Sequence, residues 1–395
     1  MINIESEDSF LVELYQRFPI TVERGSGSTI WDVNGRDYID CMGGYGVGLI
    51  GYSNNKVINA VEEQLHKITI SHMSVYNETR FRFLKNLESI APSGVSKIFF
   101  SNSGAESVEA SIKFARKYTQ KSGIISMYGG YHGKTLGALA VTHNMKYRKS
   151  FLPLQDGVKF VPYGRVGEIN DAIDENIGTV ILEPIQGETG VIIPPDDFIG
   201  SVRRICDERK LILIFDEIQT GLGRTGKMWA GQHWNAIPDI MCIAKGIAAG
   251  IPMGVTFVKP EIAKVMKIGE HSSTFAGNPI ACAAGTAVID VIRGEDLVSK
   301  AERIGRYFKS GLLELKSHHP IIRDVRGLGM MIAIEMRFDV RDILLEGIKN
   351  GLLMLYSGRN IIRLLPPLVM DEDTVDRALS IMDSLFTSEA KKHNV

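Results

Sequence analysis

Cysteine is scarce and scattered: Cys41, Cys206, Cys242 and Cys282 are the only four in 395 residues, and no two form a C-x-x-C pair. Neither a zinc site nor a disulfide framework is implied, and no H-E-x-x-H or comparable spacing suggests another metal. Net charge is nearly absent, since 45 basic residues against 46 acidic leave −1. A nucleic-acid or anionic-membrane partner leaves a basic excess, and there is none. No apolar run reaches membrane-spanning length, and the acidic start MINIESEDSF lacks the charged-then-apolar pattern of an export signal. The expectation is a cytoplasmic enzyme. Internal repeats and low-complexity blocks are missing as well.

What is plentiful is glycine, 40 residues against 14 prolines, which points to tight turns and close backbone approaches rather than disorder. Short β-branched or aromatic runs recur between helical stretches. Ser96–Ser101, Gly123–Tyr128, Val158–Tyr163, Gly178–Glu183, Leu211–Asp216 and Asp239–Ala244 read as buried strands. Continuous apolar runs alternating with helices predict an α/β domain over residues 56–293, with a mostly parallel sheet covered by helices. Residues 294–395 read as a smaller α+β domain, its last helix capped by Asp371–Asp373 and running to about Thr387. Residues 1–55 contain strand-like runs around the Asn34-Gly35 turn, a hairpin signal, and are expected to join the small domain.

Open α/β sheets bind ligands beyond the carboxyl ends of their strands, so the loops there carry the chemistry. After the first strand comes SNSGAES, where the Ser103 hydroxyl and the amides of Gly104 and Ala105 open a helix and can cradle a phosphate. After the second comes YGGYHGKT. This loop imitates a nucleotide-binding P-loop, but the first glycine of that motif would fall at Tyr128. Asp216 and Glu217 end the strand LILIFD and face opposite ways, so Asp216 acts alone. Lys245 ends another strand among alanines and glycines, where desolvation would lower its pKa and suit it to imine formation. Singly, each has a plainer reading: Ser103 as a helix cap, Asp216 as an exposed strand end, Lys245 as a snorkelling lysine. His318-His319 reads as a solvated loop, Lys146–Lys149 as a solvated charged turn, and Met330 and Met331 as core.

Together these segments are a parts list for pyridoxal 5'-phosphate. Asp216 would pair with the ring nitrogen, Tyr131 would stack on the ring as an aromatic platform, Gln219 would meet the ring hydroxyl, and Lys245 would hold the aldehyde. His132 belongs to the same cofactor-facing loop and shapes it. A nucleotide-hydrolysing enzyme remains the alternative from another class.

The segments FDEIQTGLGRTG, AKGIAAGIPMG, HSSTFAGNP, EPIQGETGVI, WDVNGRDYIDCMGGYGV and IIRLLPPLV, in that family's order, closely resemble the class III (omega) aminotransferases of fold type I. The resemblance spans nearly the whole chain and implies an obligate homodimer with shared active sites, Thr274 reaching the phosphate of the other subunit's cofactor. Within the family the chain is most similar to acetylornithine aminotransferases and to their relatives in carrier-protein lysine and arginine biosynthesis. That implies transfer of a terminal amino group between glutamate and an alpha-masked semialdehyde, with 2-oxoglutarate as the partner keto acid. It also implies that Arg363 grips a substrate carboxylate, that Glu188 masks Arg363 in turn, and that Ser273 contacts substrate. Lys134 stands where acetylornithine enzymes usually have arginine, a point charge in place of a fork. A 4-aminobutyrate enzyme is the alternative within the family. An acidic amino-group carrier protein is a further implied partner, with Lys146, Arg148 and Lys149 near the entrance.

Overall fold

The computed structural model describes residues 7–393, so the first six residues of the acidic start lie outside the described ones. Seven strands form the central sheet: β4 (Lys97–Ser101), β5 (Gly123–Met127), β6 (Val158–Val161), β7 (Ile177–Leu182), β8 (Ile212–Asp216), β9 (Ile240–Ile243) and β10 (Gly254–Val258). Their order is β4-β10-β9-β8-β7-β5-β6. Pairings among β5 to β9 are parallel, whereas β10 runs antiparallel to both neighbours, β9 and β4. The mostly parallel sheet is as expected; the reversed strand β10 is not, because GVTFV follows a glycine-rich stretch that masks it. Strands β7, β8 and β9 are buried along their whole length, which is why they read as unbroken apolar runs.

Helix α1 (Asn55–Leu65) and helix α2 (Glu78–Ile90) precede the sheet, and α3 (Gly104–Thr119) follows β4. The Ser103 side chain caps α3, Glu106 lies in its first turn, and Arg116 and Lys117 lie in its last, matching the helix dipole. Helices α4 (Phe198–Arg209) and α5 (Pro279–Gly294) complete the covering layers.

Strands β1 (Val22–Ser26), β2 (Thr29–Asp32) and β3 (Asp37–Asp40) form a meander, one strand more than the single hairpin expected. Its fourth strand is β13 (Leu352–Leu353), which pairs parallel to β3 from 313 residues downstream by way of Ile39↔Leu352. After α6 (Leu297–His318), β11 (Ile322–Leu328) and β12 (Met331–Met336) make a hairpin. Beyond α7 (Arg341–Lys349), β14 (Leu355–Ser357) and β15 (Ile361–Leu364) complete a third sheet in the order β11-β12-β15-β14. The last helix, α8 (Glu372–Lys392), is capped by Asp371 and runs past the expected end at Thr387.

Two surface readings need correction. His319 is buried, not solvated: its Nε2 lies 2.6 Å from Asp383 Oδ1 and its ring meets Phe386 edge-on. In the Lys146–Lys149 turn, Arg148 lies over the Phe160 ring and Tyr147 packs against Tyr131, so only the two lysines are fully exposed.

Candidate functional site

Because β4, β5, β7, β8 and β9 share one direction, their carboxyl ends meet at one edge of the sheet. A cavity of about 360 Å³ opens there. Its wall contains Ser103, Gly104, Ala105, Tyr131, His132, Lys134, Asp216, Gln219 and Lys245, nine of the residues singled out in the sequence.

On one side the Ser103 Oγ accepts from the Glu106 amide at 3.2 Å, and the Glu106 carboxylate reaches back to the Asn102 amide. The Ser103 hydroxyl is therefore a cap as well as a cavity group. The Gly104 and Ala105 amides open α3, and no acceptor meets them among the described residues. A Cβ at Gly104 would lie 2.8 Å from Ile218 Cδ1, so any larger residue there would displace the Ile218 side chain.

At the floor, Asp216 Oδ2 stands 2.8 Å from His132 Nδ1, and Oδ1 accepts from the Ile218 amide at 3.0 Å. Asp216 is therefore held from two sides with its face to the cavity. Glu217 points the other way, accepting from the Thr220 hydroxyl and the Ala230 and Gly231 amides. With Glu217 so engaged and Lys134 lying 5.0 Å over the Tyr147 ring, nothing of a magnesium-nucleotide site remains. The nucleotide alternative is set aside. Two buried polar atoms in the wall, His132 Nε2 and Gln219 Oε1, have no hydrogen-bond partner. Groups buried without partners at a strand-end cavity mark a place for a polar ligand.

Lys245 occupies the start of the turn after β9 with φ +48, a left-handed conformation that side-chain-bearing residues seldom adopt. Burial lowers its ammonium to about 8; Arg363 pushes the same way, while Glu188, Asp216 and Glu183 oppose. The amine is thus poised to be neutral, and nucleophilic, near physiological pH. Burial likewise raises the Tyr131 phenol to about 12, so it stays a neutral ring.

Glu188 and Arg363 lie outside that wall but pair with each other, Nη1 to Oε2 at 2.7 Å, with Arg363 almost wholly buried on β15. Burial alone would raise the Glu188 carboxyl; the Arg363 charge and hydrogen bond more than offset it, leaving it below its ordinary value. Ser273 Oγ accepts from Asn102 Nδ2 at 2.8 Å, which sets it beside the Ser103 loop. Thr274 is exposed and meets no part of this chain's cavity.

Residue-by-residue reading missed Glu183 and Tyr147. Glu183 directly follows β7 much as Asp216 ends β8, and that strand-end carboxylate was the available signal. Tyr147 looked like part of a charged turn and gave none.

The sequence model of the family described as aminotransferase class-III matches residues 12–386. An acetylornithine aminotransferase of Methanopyrus kandleri is 41% identical over 385 residues, covering 96% of this chain and 98% of that protein. A LysW-aminoadipate semialdehyde transaminase of Deinococcus radiodurans is 39% identical, covering 98% and 90%. A solved ornithine aminotransferase of Toxoplasma gondii, with pyridoxal phosphate at its active site, superposes with a TM-score of 0.95 at 28% identity, covering 99% and 95%. Strand-end lysine and aspartate, open helix amides and a match along nearly the whole length agree: this chain belongs to the class-III aminotransferases, which work with pyridoxal 5'-phosphate.

Proposed function

We propose that this aminotransferase moves the terminal amino group between an alpha-N-masked ornithine or lysine and 2-oxoglutarate, serving arginine or lysine biosynthesis, and that it does so as a homodimer. The observation that carries the substrate reading is the buried Arg363 closed by the Glu188 carboxylate at 2.7 Å, beside Lys245. An arginine under a removable carboxylate serves two unlike substrates in one pocket. Covered, it leaves room for the uncharged chain next to an omega-amine; uncovered, it binds the alpha-carboxylate of glutamate as a bidentate pair.

The cofactor's chemistry fits the residues present, as the free amides of Gly104 and Ala105 and the orphaned Gln219 Oε1 and His132 Nε2 indicate. When bound, it supplies an electron sink and a temporary carrier for the amino group. Ser103, Gly104 and Ala105 hold the phosphate, with Thr274 of the partner subunit. Tyr131 covers one ring face and Gln219 meets the ring hydroxyl. Asp216, steadied by His132, pairs with the ring nitrogen and keeps its proton there. Lys245 Nζ would hold the cofactor's aldehyde carbon and, as an amine, would carry the proton between substrate positions. Lys134 and Ser273 stand toward the far end of the substrate.

Lys134 offers no fork for a distal carboxylate, which favours a long or tethered mask over a tightly gripped small one. The Lys146 and Lys149 side chains are exposed on the segment whose Tyr147 packs against the cavity residues Tyr131 and Lys134, and they suit an acidic carrier. Single-turnover conversion with carrier-bound ornithine or lysine, free acetylornithine and 4-aminobutyrate tests the assignment. Surface attraction is screened over about 8 Å at physiological ionic strength. Carrier-bound substrate should therefore react more slowly as salt rises, while acetylornithine barely changes. Fastest conversion with 4-aminobutyrate would sink the biosynthetic assignment.

A further inference from the structure

Two loops lie against each other beside the cavity. One, 128–132, carries the Tyr131 platform; the other, 186–189, carries Glu188. The Glu183 carboxylate joins them: Oε1 accepts from the Tyr131 amide at 3.0 Å and Oε2 from the Gly187 amide at 3.0 Å. Further stitches run beside it. Gln186 Nε2 donates to the Tyr128 carbonyl at 2.8 Å, and the Thr189 hydroxyl donates to the Gly129 carbonyl. Such closeness needs glycine: a Cβ at Gly129, where φ is +80, would lie 2.8 Å from Gln186 Oε1. On its far side, the Glu188 carbonyl accepts from the Ser357 hydroxyl of β14. The gate residue's backbone is thus fixed at both flanks, and its carboxylate is held by Arg363.

We propose that Glu183 is a positioning residue that ties the Glu188 gate to the aromatic platform, so that substrate choice and the cofactor's surroundings change together. The proposal rests on the reading of Glu188 as a gate. Both amides are needed because Glu183 is buried, and an ionised carboxylate there depends on donors at both oxygens. Burial holds its carboxyl up to about 7, countered by His132 and those two amides, with Asp216 adding to the rise. Gln219 also lies against this turn, since a Cβ at Gly187 would strike its side chain. Platform, ring-hydroxyl partner and gate therefore converge on one short segment.

Glu183→Gln keeps the shape but has one acceptor oxygen for two amides, so one tie is lost and an N–H faces an N–H. Two readouts on the holoenzyme separate coupling from plain support. The absorption maximum of the bound cofactor reports the platform, and the ratio of the glutamate to omega-amine half-reaction rates reports the gate. Loss of one charge-assisted hydrogen bond should change that ratio about tenfold and shift the absorption with it. Thr189→Val, at an exposed position, removes only the hydroxyl's bond to the Gly129 carbonyl and should move both readouts in the same direction by less. Either variant moving one readout alone, or neither, would overturn the coupling. Glu188→Ala is run alongside: if the ratio responds to it but not to Glu183→Gln or Thr189→Val, the gate stands and the coupling fails. If the ratio ignores Glu188→Ala, the gate reading falls and the coupling with it.

Discussion

Lys245 combines two costs at the cavity, a left-handed backbone and a desolvated amine. A side-chain-bearing residue held so is destabilised by about 1–3 kcal/mol, and such strain gathers at functional sites. Because burial favours the neutral amine, capture of free cofactor by the cofactor-free protein should accelerate as pH rises through about 8, well below the ordinary lysine value. Stopped-flow absorbance against pH checks this, and a midpoint near 10 would contradict it. Lys245→Ala should abolish turnover, the proton-transfer part alone being worth about 10²–10⁴. Asp216→Asn should still bind cofactor yet lose most of its rate, because the ring nitrogen no longer meets a charged acceptor. A near-native rate would remove Asp216 from its role. Both residues were legible in the sequence because a charge that ends an apolar strand is conspicuous. The link from Asp216 to His132, 84 residues apart, was not, since nothing local encodes a contact across strands.

At the scale of elements, five of the strands that build the cavity edge were readable from apolar runs: four are buried along their whole length, and β4 is buried at its carboxyl end, where the cavity lies. Direction is a tertiary property, so the reversal of β10 was not readable, nor was the pairing of β3 with β13. The join between sheets is likewise non-local. Arg224, fully buried, donates to the Met330 carbonyl at 3.0 Å and to the Pro366 carbonyl, three residues beyond Arg363. Burial presses its guanidinium down to about 9, with Asp40 opposing, so the group stays charged at neutral pH. Arg224→Met fills the space but leaves two buried carbonyls without donors, at about 1–3 kcal/mol for each such group. The melting temperature should fall, and KM for glutamate should rise more than kcat falls, because β15 sets where Arg363 stands. Unchanged KM with lowered stability would confine Arg224 to plain support.

For the whole molecule, the apolar surface is unevenly spread. Tyr76 and Ile268 are the most exposed large apolar side chains among the described residues, at 106% and 107%, and Phe275, 63% exposed, adjoins Thr274. Met73, Val75 and Phe81 are also more than a third exposed, near Tyr76 in the chain. Arg80 donates to the carbonyls of Ser71, Val75 and Gly277, which sets this exposed apolar segment beside Phe275, and such patches usually mark an interface. A second copy of this chain is the occupant proposed above, and it makes sense of Thr274, which meets no cavity of its own chain. Light scattering should give twice the 43.7 kDa chain mass. Mass alone does not show that sites are shared, so the sharper experiment mixes two inactive variants. Thr274→Glu sets a carboxylate against the partner's phosphate; Lys245→Ala removes the amine within its own subunit. In a mixed dimer one site carries both lesions and the other carries neither. Random reassociation makes half the dimers mixed, each with one intact site of two, so about a quarter of native activity should return. If Thr274 acted within its own chain, every site in every dimer would carry a lesion, and mixing would restore nothing.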